Sequence, residues 1–180
     1  ASADGLWACD PGERILTVGS LKEQKNHPLL LRAFAQMPSP KARLMLVGAG
    51  EQAGLRALVG ELGIADRVIF AGFHPDPTPF YRTADLFVLS SDYEGLPTVL
   101  IEAMACGTPV VSTDCPSGPA EILENGRYGR LVPVNDPAAL ATAMQAALAE
   151  APDRAALQGR AAQFSPAIAS RRYLDLLEMT

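Results

Sequence analysis

Two acidic side chains in one short segment are suited to binding hydroxyl groups. Glu94 and Glu102 are separated by seven residues, and a turn at Gly95 follows the first of them. A carboxylate can accept two neighbouring hydroxyls, as sugar and ribose diols require. Either acid alone could be a solvated surface residue. Glu102, however, precedes an apolar run at 103–105, where a carboxylate needs a polar partner. The pair therefore favours a ligand rich in hydroxyls.

The backbone between the two acids is predicted to bind phosphate. A helix begins near Pro97, which has no amide hydrogen and so sets the geometry without donating. The amides near Leu96, Thr98 and Val99 would lack helical carbonyl partners and point beyond the preceding strand. We therefore expect a phosphate at this helix start, with Glu94 beside whatever is attached to it.

A lysine in a second loop could supply positive charge to the same ligand. Lys25 stands in the polar segment 19–26, between a predicted strand and a helix that Asn26 is expected to cap. At the mouth of that helix its ammonium group would neutralise a phosphate. A solvated lysine in a polar loop is the alternative interpretation.

The segment 48–53 matches the dinucleotide-binding pattern G-x-G-x-x-A. A dinucleotide site would also need an acidic residue about twenty positions later, at the end of the next strand. The chain has 72–74 there, Gly-Phe-His, and no acid before Asp76. This disfavours a nicotinamide dinucleotide site. Gly48 is instead expected to let backbone and ligand pass close to each other.

Short apolar runs alternate with helical patterns from residue 14 onward. The strands are continuously apolar, which indicates burial on both faces and a parallel sheet. We predict an α/β fold, a doubly wound Rossmann-like parallel sheet of about six strands flanked by helices. Ligands of such sheets bind beyond the carboxyl ends of the strands, where the candidate loops lie. The predicted strands are 15–18, 44–47, 68–70, 86–89, 110–111 and 131–132.

Composition limits the class of protein. The chain has 180 residues, 48% of them hydrophobic and 19% charged, as expected for one globular domain. We predict a linker at 1–13 and the domain at 14–180. The formal net charge of −5 argues against nucleic acid as a partner. The three cysteines, Cys9, Cys106 and Cys115, lack metal-ligand spacing and are expected to be reduced thiols.

These residues together resemble the C-terminal, donor-binding domain of the retaining GT-B glycosyltransferases of family 4, also called group 1. The resemblance runs from about Arg14 to the end of the chain. Each matching segment is weak alone, but their order is specific. Besides the paired glutamates, the matching segments are 18–21 with 25–26, 47–50, 68–73, 84–90 and 105–111.

The resemblance implies roles for the candidate residues. Glu94 would bind hydroxyls of the donor sugar, and Glu102 would bind the ribose diol of its nucleotide. Lys25 would neutralise the leaving diphosphate, so that Lys25 and Glu94 are the predicted catalytic residues. The remaining predicted donor-binding residues are Ser20, Gly48, Phe73 at the nucleobase, and Gly95, Leu96, Thr98 and Val99 at the diphosphate.

The resemblance also implies the partners. The substrate would be a UDP- or GDP-linked sugar, and cationic side chains and a helix start would replace a metal cofactor. The acceptor, a glycan, lipid or small molecule, would bind an N-terminal half that these residues do not include. The fragment alone would therefore bind donor without efficient transfer. The full-length enzyme would be cytoplasmic, with peripheral contact at the inner membrane face as an option.

Two features depart from the family pattern, the residue at position 20 and the N-terminal half that these residues do not include. Many relatives carry arginine where this chain has Ser20, so either Lys22 compensates in part or the diphosphate is bound more weakly. In both cases Lys25 would carry more of the positive charge at the diphosphate. The final helical segment contains Arg171 and Arg172 and would cross towards the other half. Two alternatives stay open, half of a nucleotide-sugar 2-epimerase and a non-catalytic nucleotide-binding module.

Overall fold

Six parallel strands form one sheet in the order β3-β2-β1-β4-β5-β6. The computed structural model describes residues 3–7, 11, 13–164 and 166. This strand order confirms the predicted doubly wound sheet. The strands are β1 Arg14–Val18, β2 Arg43–Val47, β3 Val68–Gly72, β4 Leu86–Leu89, β5 Val110–Thr113 and β6 Arg130–Val132.

Helices cover both faces of the sheet. On one face α2, α3 and α7 pack in the first hydrophobic core, and the others pack in a second core on the opposite face. Every helix in the described part of the chain is too short or too polar to span a lipid bilayer. The helices are α1 Ala3–Leu6, α2 His27–Ala35, α3 Ala53–Glu61, α4 Thr78–Thr83, α5 Thr98–Ala105, α6 Pro119–Ile122, α7 Pro137–Ala149 and α8 Arg154–Ala162.

The continuous apolar strands arise because successive side chains enter different cores. Ile15 belongs to the first core and Leu16 to the second, and both are fully buried. Leu86 and Phe87 of β4 divide in the same way. Since strand side chains alternate between faces, a strand buried on both faces favours apolar residues at successive positions. The predicted burial is thus confirmed for the four inner strands β1, β2, β4 and β5. The two outermost strands differ, because every residue of β3 and two of the three in β6 are only partly buried.

The segment that we predict as a linker contributes to the second core. Trp7 is fully buried beside α1 and α4, and its indole nitrogen donates to Thr83 Oγ1 at 2.9 Å. Arg14 pairs with Asp4 at 2.6 Å. Residues 3–7 therefore pack on the domain. Cys9, Arg171 and Arg172 lie outside the described residues.

Three helix ends follow the local chemistry of the sequence. Asn26 adopts a left-handed conformation, φ 44°, and its side chain accepts from the Leu29 amide, which confirms it as the N-cap of α2. Gly63 and Gly107, with φ of 67° and 73°, follow α3 and α5. Glycine adopts this conformation without a steric penalty, which suits it to the position just after a helix end.

Candidate functional site

Loops beyond the carboxyl ends of β1 and β4 form the candidate site. A single 3-10 turn at Glu23–Lys25 follows β1 and places Lys25 directly before α2. The loop after β4 leads through Glu94 into α5. Parallel strands all end at one edge of the sheet, so two segments distant in sequence meet there.

Lys25 and Glu94 form an ion pair across this edge. The Lys25 Nζ and Glu94 Oε1 atoms are 2.5 Å apart, although the residues are 69 positions apart in the chain. Their side chains are only 18% and 6% exposed. Solvent screens a sheltered pair less than an exposed one, and each charge offsets part of the other's desolvation cost. The structure therefore brings together the two predicted catalytic residues.

Two buried serines at the end of β4 hold this ion pair. Ser90 Oγ donates to the carbonyl oxygen of Lys25 at 2.9 Å. Ser91 Oγ donates to Glu94 Oε1 at 2.6 Å. Sequence reasoning missed both serines. The signal that could have identified them is a pair of small polar residues directly after an apolar strand.

Asn26 ties the loops around the pair together. Its side-chain amide donates to Asp92 Oδ1 at 2.7 Å and to Asn135 Oδ1 at 3.0 Å. The Asp92 amide in turn donates to the carbonyl of Gln24 at 3.0 Å. The loops that follow β1, β4 and β6 are thus joined at one residue, whose predicted role was limited to capping α2.

The glycine-rich loop after β2 crosses the loop after β1 at very short distance. A Cβ atom on Gly48 would lie 1.8 Å from the carbonyl oxygen of Gly19. The Gly19 amide donates to Val47, and the Leu21 amide to Ala49. Ser20 lies within this crossing, next to Gly19. The close approach supports the interpretation of Gly48 as a residue that lets backbone pass, and it explains the pattern without a dinucleotide.

The start of α5 lies directly after Glu94. Pro97 occupies its N-cap position and makes no side-chain cap hydrogen bond, so the first amides of the helix, at Thr98 and Val99, have no side-chain cap. Gly118 packs closely against the loop that contains Gly95, because a Cβ atom on Gly118 would lie 2.7 Å from the carbonyl oxygen of Gly95. Such a helix start attracts anions.

Glu102 is held from a different element. It lies in α5, and its Oε2 accepts from the Tyr81 hydroxyl of α4 at 3.1 Å. Tyr81 is 1% exposed. Burial, followed by the charge of Glu102, raises the pKa of Tyr81 well above its ordinary value, so the phenol stays a donor. This hydroxyl is thus a polar partner of the kind expected for Glu102.

Aromatic side chains are exposed at the same edge of the sheet. Phe73, directly after β3, is 69% exposed, as a residue that stacks on a base would need to be. Its neighbour His74 contacts the Ala71 carbonyl at 3.1 Å and the Phe80 ring edge-on. Tyr93, beside Glu94, is 58% exposed.

His27 lies behind the ion pair, in the first turn of α2. It is 3% exposed. Burial, and then the charge of Lys25, lowers the pKa of His27 to about 4. The imidazole is therefore neutral at pH 7.

The structure gives little support to a reactive cysteine or to a metal site among the described residues. Burial raises the pKa of the Cys106 and Cys115 thiols, which are free, and this disfavours the reactive thiolate. Within the described residues no cluster of histidine, cysteine or acidic side chains could hold a metal ion. A cleft of about 330 Å³ lies at the amino ends of β5 and β6, near Val110 and Arg130. None of the predicted site residues lines it.

Known proteins are similar to this chain in sequence. Residues 12–150 match the family model described as glycosyl transferases group 1. The lipopolysaccharide core biosynthesis glycosyltransferase LpsE of Rhizobium meliloti is 36% identical over 169 residues, which cover 91% of this chain and 49% of LpsE. The N-acetylgalactosaminyltransferase of Campylobacter jejuni that acts on N-acetylgalactosamine-N,N'-diacetylbacillosaminyl-diphospho-undecaprenol is 37% identical over 123 residues, covering 68% of this chain and 33% of the enzyme.

A solved structure shares the fold. Anabaena HepE in complex with UDP superposes with a TM-score of 0.80 at 26% identity, over 93% of this chain and 49% of HepE. The chain thus spans about half of LpsE and of HepE. The family match over most of the chain, together with the six-stranded parallel sheet, shows that this protein belongs to the group 1 glycosyl transferases.

Proposed function

We propose that this chain is the donor-binding domain of a retaining glycosyltransferase of family 4. The whole enzyme transfers a hexosyl group from a nucleotide-diphosphate sugar to an acceptor hydroxyl. The observation that carries this proposal is the sheltered Lys25–Glu94 ion pair, which stands beside the start of α5. The UDP complex of the related HepE supports a nucleotide as the ligand.

The diphosphate is bound by Lys25 and the α5 start. An ammonium group and the first helix amides both stabilise anionic oxygens, and their effect grows as negative charge develops on the leaving diphosphate. Glu94 accepts hydroxyls of the donor sugar. Glu102, held by the Tyr81 hydroxyl, accepts the ribose diol.

The transfer needs no metal ion in this proposal. The bond between the anomeric carbon and the diphosphate oxygen breaks, and the acceptor oxygen bonds to that carbon with the original anomeric configuration. The proton of the acceptor hydroxyl leaves with the nucleotide diphosphate or to solvent. Lys25 and the helix start supply the positive potential that a divalent ion would otherwise supply.

The acceptor site belongs to another part of the enzyme. Because the chain spans about half of LpsE and of HepE, we assign acceptor binding to the remaining half. The chain alone binds a UDP- or GDP-linked donor but transfers its sugar inefficiently. The acceptor class, glycan, lipid or small molecule, depends on that other half.

Titration calorimetry tests the two nucleotide contacts separately. Lys25→Ala should reduce the preference for UDP over UMP at least about tenfold, because the second phosphate loses a charged hydrogen bond. Glu102→Ala should remove the preference for UDP over 2'-deoxy-UDP, because the ribose loses its acceptor. The GDP series replaces the UDP series if guanine is the preferred base.

Matched controls use charged residues away from the site. Lys41 and Glu61 are exposed, one before β2 and the other at the end of α3. Lys41→Ala and Glu61→Ala should leave both preferences unchanged. Equal preferences in wild type, Lys25→Ala and Glu102→Ala would refute the assignment of these residues.

A further inference from the structure

Both described partners of the Glu94 carboxylate bind the same oxygen. Lys25 Nζ lies 2.5 Å from Oε1, and Ser91 Oγ donates to Oε1 at 2.6 Å. Among the residues that the structure describes, Lys25 and Ser91 are the two whose side chains donate hydrogen bonds to the Glu94 carboxylate. The two oxygens therefore have different environments, with Oε1 bound by the protein and Oε2 left to accept from a ligand.

The Ser91 hydroxyl is fixed by the sheet. Ser91 is fully buried and stands two positions beyond the end of β4. Its carbonyl oxygen accepts from Thr113 Oγ1 at 2.6 Å, and Thr113 is the fully buried last residue of β5. Because two adjacent strands determine where Ser91 lies, its hydroxyl can hold a carboxylate in one orientation.

Lys25 alone cannot do this once a donor is bound. In the proposed function its ammonium group also binds the diphosphate, which competes with Glu94 for the same hydrogens. Ser91 carries no charge that a phosphate would attract, so its hydrogen bond to Oε1 persists in the complex. A neutral hydrogen-bond donor also leaves the negative charge of Glu94 available to sugar hydroxyls.

We propose that Ser91 is the positioning residue of Glu94. By holding Oε1 it orients Oε2 towards the hydroxyls of the donor sugar, while the nucleotide is bound by other residues. This inference rests on the proposed function, because it assumes that Glu94 binds sugar. It assigns to Ser91 a share of the affinity for the sugar and none of the affinity for the nucleotide.

The test separates sugar affinity from nucleotide affinity. We define the sugar increment as the Kd of UDP divided by the Kd of UDP-glucose, measured by calorimetry; GDP and GDP-mannose are measured in parallel. Ser91→Ala should keep the nucleotide Kd within about twofold and reduce the sugar increment about tenfold, as expected for one hydrogen bond to a charged group. Glu94→Gln should reduce the same increment.

Two further variants separate positioning from stability. Ser112→Ala removes another fully buried serine hydroxyl, which donates to the Thr113 carbonyl, and should leave the increment unchanged. Ser91→Thr keeps a hydroxyl and should retain more of the increment than Ser91→Ala. Thermal unfolding of Ser91→Ala and Ser112→Ala shows whether their losses of stability are comparable.

The outcomes distinguish a failure of the role of Ser91 from a failure of the proposed function. A sugar increment that Glu94→Gln abolishes but Ser91→Ala leaves intact would overturn the role of Ser91 alone. Parallel losses of nucleotide and sugar affinity in Ser91→Ala would also overturn it, because they indicate a structural role. A wild-type chain that binds no nucleotide, or whose sugar increment is insensitive to Glu94→Gln, would refute the proposed function of Glu94 and the inference with it.

Discussion

The titratable side chains at the candidate site differ in how the cost of removing them from water is offset. Lys25 and Glu94 are charged and sheltered, and each offsets the other's desolvation. His27 is buried close to the same lysine and avoids the cost by staying neutral. The site therefore places two charges in a partly dry environment and keeps a third titratable group uncharged behind them.

The neutral state of His27 makes stability depend on pH. Its folded-state pKa of about 4 lies below the ordinary value of 6.5. The unfolded chain therefore binds more protons between these values, and stability is lost as pH falls from 6.5 towards 4. From pH 7.5 to 5 we expect His27 to account for about 2 kcal/mol of lost unfolding free energy.

Urea unfolding at several pH values measures this contribution. His27→Gln has no imidazole to titrate, so its loss between pH 7.5 and 5 should be smaller than that of wild type by this amount. Identical pH dependence in wild type and His27→Gln would show that the buried imidazole is not responsible.

At the scale of elements, the site depends on where helices begin and loops cross. Asn26 both caps α2 and donates to the loops that follow β4 and β6. Its left-handed backbone conformation suits asparagine better than most residues. One residue thus couples a helix start to the arrangement of three loops.

Asn26→Ala should weaken both stability and ligand binding. Loss of the cap costs about 1 kcal/mol, and alanine in the left-handed conformation costs about another 1 kcal/mol. UDP or GDP affinity should fall as well, because the Asp92 loop loses its anchor. Asp153→Ala removes the cap of α8 alone, so it should cost about 1 kcal/mol and leave affinity unchanged. Unchanged affinity in Asn26→Ala would contradict the anchoring role.

The crossing at Gly48 should tolerate no side chain. Alanine there would place Cβ 1.8 Å from the Gly19 carbonyl oxygen, so Gly48→Ala should destabilise by more than about 3 kcal/mol. A Cβ atom on Gly159, in α8, would meet nothing within 4 Å, and Gly159→Ala should stabilise by about 0.5–1 kcal/mol. Chemical denaturation of both variants checks the contrast, and near-equal stabilities would argue against so close a crossing.

For the whole molecule, two cores on opposite faces of one sheet hold the loops at a single edge. The loops that carry Lys25, Gly48 and Glu94 each follow a different strand of that sheet. A ligand that bridges these loops stabilises the folded state as a unit, because it binds only when all of them are in place.

Nucleotide binding should therefore raise the thermal unfolding temperature without a metal ion. At one hundred times its Kd, UDP or GDP should stabilise the chain by about 2.7 kcal/mol, which corresponds to roughly 5–10 °C for a domain of this size. The increase should be equal in EDTA and in Mg²⁺, and Lys25→Ala should show a smaller increase at the same ligand concentration. An increase that requires Mg²⁺ would contradict the metal-independent proposal.

Local features of the chain were predictable from the sequence. Nearly continuous apolar runs predicted all six strands, because burial on two faces favours apolar residues at successive positions. Asn26 predicted the start of α2, since capping depends on a few adjacent residues. Lys25 and Glu94 were predicted to lie at the same edge, because parallel strands end there together.

The contacts between these elements were decided only by the tertiary structure. No periodic pattern in the sequence specifies that Ser91 binds Glu94, that Tyr81 binds Glu102 or that Trp7 enters the second core. A hydrogen bond requires two atoms within about 3 Å, and that precision depends on how strands and helices pack. Periodicity identifies the elements and the edge where they meet, whereas side-chain packing determines which oxygen of Glu94 the protein holds.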